Sequence, residues 1–147
     1  MNNVRITKEF NFEMAHALYG YDGPCKNIHG HSYRLSVTIK GQPIKDPNNV
    51  KHGMVMDFTE LKTIVKPIID KLDHATILNA KSPHKKLSEE NVLFEKLVLV
   101  NYQPTCENML LDIAEQIIKQ LPAEVKLHHL RLQETATSYA EWYADDN

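Results

Sequence analysis

Two stretches of the chain alternate apolar and polar residues with the period of two that marks a half-buried strand. In the first, expected over 4–16, Phe10, Phe12, Met14 and His16 share one parity, and Glu13 and Ala15 take the other. In the second, expected over 29–40, His29, His31, Tyr33, Leu35, Val37 and Ile39 lie on one side. Ser32, Arg34, Ser36, Thr38 and Lys40 lie on the other. Residues 19–28 form a Gly/Pro-containing loop between these strands, and Gly41-Gln42-Pro43 and Asp46-Pro47-Asn48-Asn49 break the chain after them.

The period then changes to that of a helix. Phe58, Leu61, Ile64, Val65, Ile68, Ile69 and Leu72 predict a helix over 58–71. Asp57 is its expected N-cap, with Glu60 as capping-box partner, and Pro67 is expected to kink it. Residues 80–93 read as an exposed, lysine-rich loop, and Leu97–Val100 as a short apolar run. A second helix, over 106–120, buries Leu110, Ile113, Ala114, Ile117, Ile118 and Leu121, and Pro122 ends it. Strands over 124–134 and 138–144 close the chain. The order β-β-α-α-β-β predicts an α+β fold, an antiparallel four-stranded sheet with two helices on one face.

The length of 147 residues suits one domain, 1–147, with a real core. A net charge of −2 with no Lys/Arg stripe speaks against a nucleic-acid partner. Cys25 and Cys106 are too few for a disulfide framework and read as reduced thiols. No apolar stretch approaches the roughly 18 residues of a membrane span. The N-terminal residues lack the apolar region of a secretion signal. The expected location is the cytoplasm.

Two histidines at i and i+2, His29 and His31, stand together at the end of an apolar face. His16 ends the neighbouring strand in the same phase. If the strands pair antiparallel, three imidazoles converge, a set that suits zinc and leaves a fourth position open. Separate hydrogen-bonded histidines are the bland alternative. Cys25, four residues before His29, is open to three readings: a fourth ligand closing a structural site, a thiolate acid/base beside the metal, or an inert thiol. Asp73-His74, at the end of the first helix, is either a proton relay or a helix end favouring an imidazolium. Thr105 and Glu107 open the second helix, a pattern that capping alone explains. Glu134 shares the parity of Leu130 and Leu132. It is either solvated at a strand tip or an acceptor for paired N–H donors. His52, His84, His128 and His129 follow no such pattern and read as surface residues.

Seven segments resemble, in order, the 6-pyruvoyltetrahydropterin synthase / 6-carboxytetrahydropterin synthase family. They are Phe12 to His16, Cys25 to Tyr33, Gly53 to Phe58, Leu72 to His74, Leu78-Asn79, Pro104 to Asn108 and Glu134-Thr135. The resemblance implies the tunnelling fold, whose subunits trimerise into a barrel. Two trimers commonly stack as a hexamer, with sites at subunit interfaces. It implies zinc on His16, His29 and His31, and Cys25 as catalytic base. Asp73 and His74 would complete a relay from a neighbouring subunit. Glu134 would anchor a pterin's 2-amino group and adjacent ring N–H, and Thr105 and Glu107 would line the pterin pocket.

The three residues between Cys25 and His29 resemble the 6-carboxytetrahydropterin synthases of queuosine (7-deazapurine) biosynthesis. That implies a lyase converting 7,8-dihydroneopterin triphosphate to 6-carboxy-5,6,7,8-tetrahydropterin, acetaldehyde and triphosphate. The alternatives are 6-pyruvoyltetrahydropterin synthesis, with triphosphate eliminated from the same substrate, and a non-catalytic zinc-stabilised binding module closed by Cys25. The zinc histidines speak against a dihydroneopterin aldolase or epimerase. Two departures are Met14, where a small residue is common, and a segment at 80–103 longer than in compact relatives.

Overall fold

The computed structural model describes residues 2–147. Its first strand, β1 (Val4–His16), pairs antiparallel with β2 (His29–Gly41) along its whole length, Val4 opposite Gly41 and His16 opposite His29. β2 in turn pairs with β5 (Lys126–Thr135), and β5 with β6 (Ser138–Tyr143), both antiparallel. These are the four expected strands, in register with their apolar parities facing one way.

The expected four-stranded sheet is nevertheless too small. Two further strands, β3 (Ala75–Asn79) and β4 (Leu97–Val100), join by parallel pairing and give a six-stranded mixed sheet of order β4-β3-β1-β2-β5-β6. Ala75 to Leu78 are all buried. A strand covered on both faces carries no alternation, so the period that revealed β1 and β2 is absent from β3. Residues 80–93, expected as an exposed loop, include the single-turn helix α2 (Leu87–Glu90).

The two long helices, α1 (Phe58–Leu72) and α3 (Cys106–Ile118), cover one face, α1 over β1 and β3 and α3 over β5 and β6. Phe12, Tyr33, Leu35, Val37, Leu130 and Leu132 from the strands meet Leu61, Val65, Met109, Ile113 and Ile117 from the helices in one buried cluster. α1 runs as one helix through Pro67. Pro67 lies on the exposed side, while Leu61, Val65, Ile68 and Ile69 fasten the helix to the sheet on both sides of it. Packing thus outweighs one missing hydrogen bond. Asp57 caps α1 through the Thr59 N–H at 2.8 Å, but Glu60 completes no capping box and pairs with Lys51 instead.

The opposite sheet face is polar. Thr7 and Thr38 share a hydrogen bond at 2.7 Å, and Ser32 donates to Glu13 at 2.6 Å. β3 pairs only with Met14 to His16 of β1, so among the described residues most of that edge of β1 has no strand beside it.

Candidate metal centre

The register of β1 and β2 makes His16 and His29 direct cross-strand neighbours, with His31 two residues further along the same face. Their rings lie 4.6 Å (His16–His29), 5.3 Å (His16–His31) and 5.0 Å (His29–His31) apart, centroid to centroid. One ligand atom from each falls within 4.8 Å of the others. The sequence parity therefore produces the predicted convergence.

Two backbone carbonyls orient these rings. His16 Nδ1 donates to the Pro104 carbonyl at 2.7 Å, and His29 Nδ1 donates to the Asn27 carbonyl at 2.7 Å. A carbonyl only accepts, so each Nδ1 carries the proton and each Nε2 keeps its lone pair. Carbonyl partners of this kind fix tautomer and orientation in metal-binding histidines. Burial lowers the His16 pKa below its ordinary 6.5, which favours the neutral ligand form; the Pro104 contact opposes this only in part. His16 Nε2 and His31 Nε2 are buried and, among the described residues, have no hydrogen-bond partner. An orphaned buried nitrogen costs about 1–3 kcal/mol. A metal ion would satisfy both, and neutral nitrogen donors fit zinc or a similar borderline ion.

Cys25 lies in a single 3₁₀ turn, Pro24–Lys26, and is half-buried. The Leu18 N–H bonds to its carbonyl at 2.9 Å, tying the loop back to the end of β1. It stands outside the three-histidine group. Both cysteines are free, as expected.

Asp73 caps the C-terminus of α1 and hydrogen-bonds to His74 Nδ1 at 3.0 Å, so the expected carboxylate–imidazole pair is formed. Asp73 Oδ1 also accepts the Glu13 N–H at 2.9 Å, while the His74 N–H donates to the Glu13 carbonyl at 2.6 Å. This double clamp holds His74 at φ 59°, the left-handed region that few non-glycine residues occupy. The Glu13 N–H, then His74 and Lys96, hold the Asp73 carboxyl below its ordinary range. Among the described residues no hydrogen bond or ion pair joins Cys25 to Asp73 or His74, and the His74 side chain is exposed.

Glu134, near the end of β5, is half-buried rather than freely solvated. Its Oε2 accepts the Tyr33 hydroxyl at 3.1 Å, and its Oε1 lies 3.9 Å from His31 Nε2. It lines a groove of about 510 Å³ together with His31, Tyr33, Arg34 and Gln133. Thr105 accepts the Asn108 N–H at 3.2 Å as the N-cap of α3, adjoining the carbonyl that holds His16. Glu107 is exposed in the first turn of α3. Neither Thr105 nor Glu107 lines the groove beside Glu134.

Three contributors went unread in the sequence. The Pro104 and Asn27 carbonyls carry no sequence signal, because every residue has one. Tyr33 did carry a signal, since it shares the histidines' parity. Cys106, whose Sγ lies 3.4 Å from the Leu132 carbonyl, is pushed up to about 12 by burial and then by Glu134, which makes it an inert thiol. Of the four histidines read as surface residues, His52 and His84 are exposed. His128 and His129 are half-buried, and His129 bonds Glu141 at 2.6 Å and stacks on Tyr143 at 4.3 Å. The cover of His129 comes from β6, where Tyr143 is its cross-strand partner.

The sequence pattern of the 6-pyruvoyl tetrahydropterin synthase family matches residues 5–145. A protein of Haemophilus influenzae named 6-carboxy-5,6,7,8-tetrahydropterin synthase is 38% identical over 141 residues, 94% of this chain and 97% of that one. The dihydroneopterin monophosphate aldolase of Pyrococcus furiosus is 32% identical over 131 residues, 89% of this chain and 90% of that one. The structure of Caenorhabditis elegans 6-pyruvoyl tetrahydropterin synthase superposes with a TM-score of 0.69 at 23% identity, over 98% of this chain and 97% of that one.

Proposed function

The chain belongs to the 6-pyruvoyl tetrahydropterin synthase family, and from that premise we propose that it is a zinc-dependent 6-carboxytetrahydropterin synthase. It converts 7,8-dihydroneopterin triphosphate and one water to 6-carboxy-5,6,7,8-tetrahydropterin, acetaldehyde and triphosphate, in the cytoplasm, on a route to 7-deazapurines such as queuosine. The observation that carries the metal dependence is the pair of buried, unpartnered Nε2 atoms of His16 and His31 beside His29. The name of the Haemophilus relative and the three-residue spacer between Cys25 and His29 support the carboxy product.

His16, His29 and His31 would hold the zinc, which when bound would supply Lewis acidity toward the substrate's side-chain oxygens. Cys25, outside the ligand group, takes a carbon-bound proton from that side chain. Asp73 and His74 of a neighbouring subunit complete the relay, with Asp73 orienting the imidazole through the 3.0 Å contact. Glu134 receives the pterin's 2-amino group and ring N–H and fixes the ring against the thiol, a positioning effect that can be large. Thr105 and Glu107 contribute to the wall of the pterin pocket. The open edge of β1 and the outer edge of β6 are free to pair between copies, which supports a homotrimer or a hexamer of two trimers.

Mass spectrometry of the products from zinc-loaded protein and 7,8-dihydroneopterin triphosphate tests the proposal. A 6-carboxytetrahydropterin mass with acetaldehyde is expected. A 6-pyruvoyl mass moves the chain to the simpler elimination. Release of a two-carbon aldehyde with the pterin ring still at the dihydro level indicates the aldolase chemistry named for the Pyrococcus relative. No turnover, together with unfolding on chelation, supports a zinc-stabilised binding module.

A further inference from the structure

Tyr33 is 1% exposed and stands between the two halves of the site. Its ring stacks on Phe12, its cross-strand partner, with centroids 5.0 Å apart and planes within 8°. The same ring packs nearly perpendicular to His31 at 5.5 Å and to His16 at 6.2 Å. Its hydroxyl donates to Glu134 Oε2 at 3.1 Å. Stacking and burial leave the phenol one orientation, so its O–H aims at a fixed point.

A carboxylate that receives two parallel N–H donors must hold its plane, and Glu134 belongs to a strand whose pairing shifts register between Gln133 and Thr135. Among the described residues no other hydrogen bond reaches the Glu134 carboxylate, and His31 Nε2 lies 3.9 Å away. Each carboxylate oxygen has two acceptor positions, so the Tyr33 bond leaves both oxygens able to receive a ligand donor.

We infer that Tyr33 is a positioning residue that, through its hydroxyl, sets the plane of the Glu134 carboxylate for recognition of a 2-amino-pteridine. The inference rests on the proposed role of Glu134 as pterin anchor. It makes Tyr33 a determinant of specificity for the amidine-like edge, with no share in metal binding or proton transfer.

The test measures binding of pterin and of lumazine, its 2-oxo analogue, to the zinc-loaded protein by fluorescence titration. The wild type, Tyr33→Phe, Glu134→Gln and the double variant are compared. Phe keeps the ring and its stack. Loss of a hydrogen bond to a charged group predicts pterin affinity about tenfold weaker in Tyr33→Phe, with lumazine affinity and zinc stoichiometry unchanged. The double variant should bind pterin no more weakly than Glu134→Gln alone, because the hydroxyl acts only through that carboxylate. If Glu134→Gln itself leaves pterin affinity unchanged, the anchor role fails and the inference with it. If Glu134→Gln weakens pterin while Tyr33→Phe does not, or the two losses add, the inference alone fails. A Tyr33→Phe chain that does not fold or does not hold zinc assigns the hydroxyl to the scaffold and overturns the inference as well.

Discussion

Single atoms decide the chemistry. The metal set depends on which ring nitrogen is left free, and two main-chain carbonyls make that choice for His16 and His29. Cys25 stands apart from this set, so Cys25→Ala should retain one zinc per chain while turnover falls on the order of 10²- to 10⁴-fold. Metal analysis beside a product assay checks this, and loss of zinc in the variant would make Cys25 a ligand instead. His16 also predicts a pH dependence. Its folded pKa lies below the ordinary 6.5, so the unfolded chain binds the proton more tightly. The associated stability is complete above pH 6.5 and is lost as pH falls through the lowered folded value. Melting of metal-free protein should therefore shift downward as pH drops below 6.5, and the shift should shrink in His16→Gln. A wild-type melting point that stays level between pH 7.5 and 5 would sink this account.

Elements bring those atoms together, and α1 shows how far packing can override local preference. Pro67 lacks the N–H that a helix interior uses, yet the helix continues because its buried stripe grips the sheet before and after the proline. Pro67→Ala restores that hydrogen bond on an exposed face. Interior proline is about 3 kcal/mol worse than alanine, and the greater freedom of the unfolded alanine chain offsets up to about 1 kcal/mol. The variant should be about 2 kcal/mol more stable, read as a higher urea midpoint with an unchanged slope. An equal or lower midpoint would mean that α1 is built around the proline ring. The turn from α1 into β3 is a different case. There, Asp73 and His74 clamp the backbone N–H and carbonyl of Glu13 at the cost of a left-handed histidine.

For the whole molecule, the open edge of β1 and the polar sheet face beside it are the features that a single chain leaves unfinished. Unpaired strand edges invite pairing, and natural sheets seldom leave long ones uncovered. Sedimentation or light scattering of the zinc-loaded protein should give three or six chains. Activity should fall with dilution into the monomer range, because the Cys25–His74 relay is proposed to cross subunits. A fully active monomer would require both groups to meet within one chain. Among the described residues no helix is long and apolar enough to cross a membrane.

The sequence by itself determined the four antiparallel strands, both long helices and the three convergent histidines. Each of these rests on a short-range period or parity that burial on one face imposes. It also showed Asp73 and His74 as neighbours, and their hydrogen bond follows from that adjacency. The tertiary structure decided β3 and β4, because a strand buried on both faces loses its alternation and its parallel partner is remote in sequence. It decided Glu60, which turned from its cap to Lys51, and His129, whose cover comes from β6. Above all it decided the tautomer of His16 and the Tyr33–Glu134 bond. These depend on Pro104 lying 88 residues from His16 and on Glu134 lying 101 from Tyr33. Contacts between residues that far apart leave no local period to read.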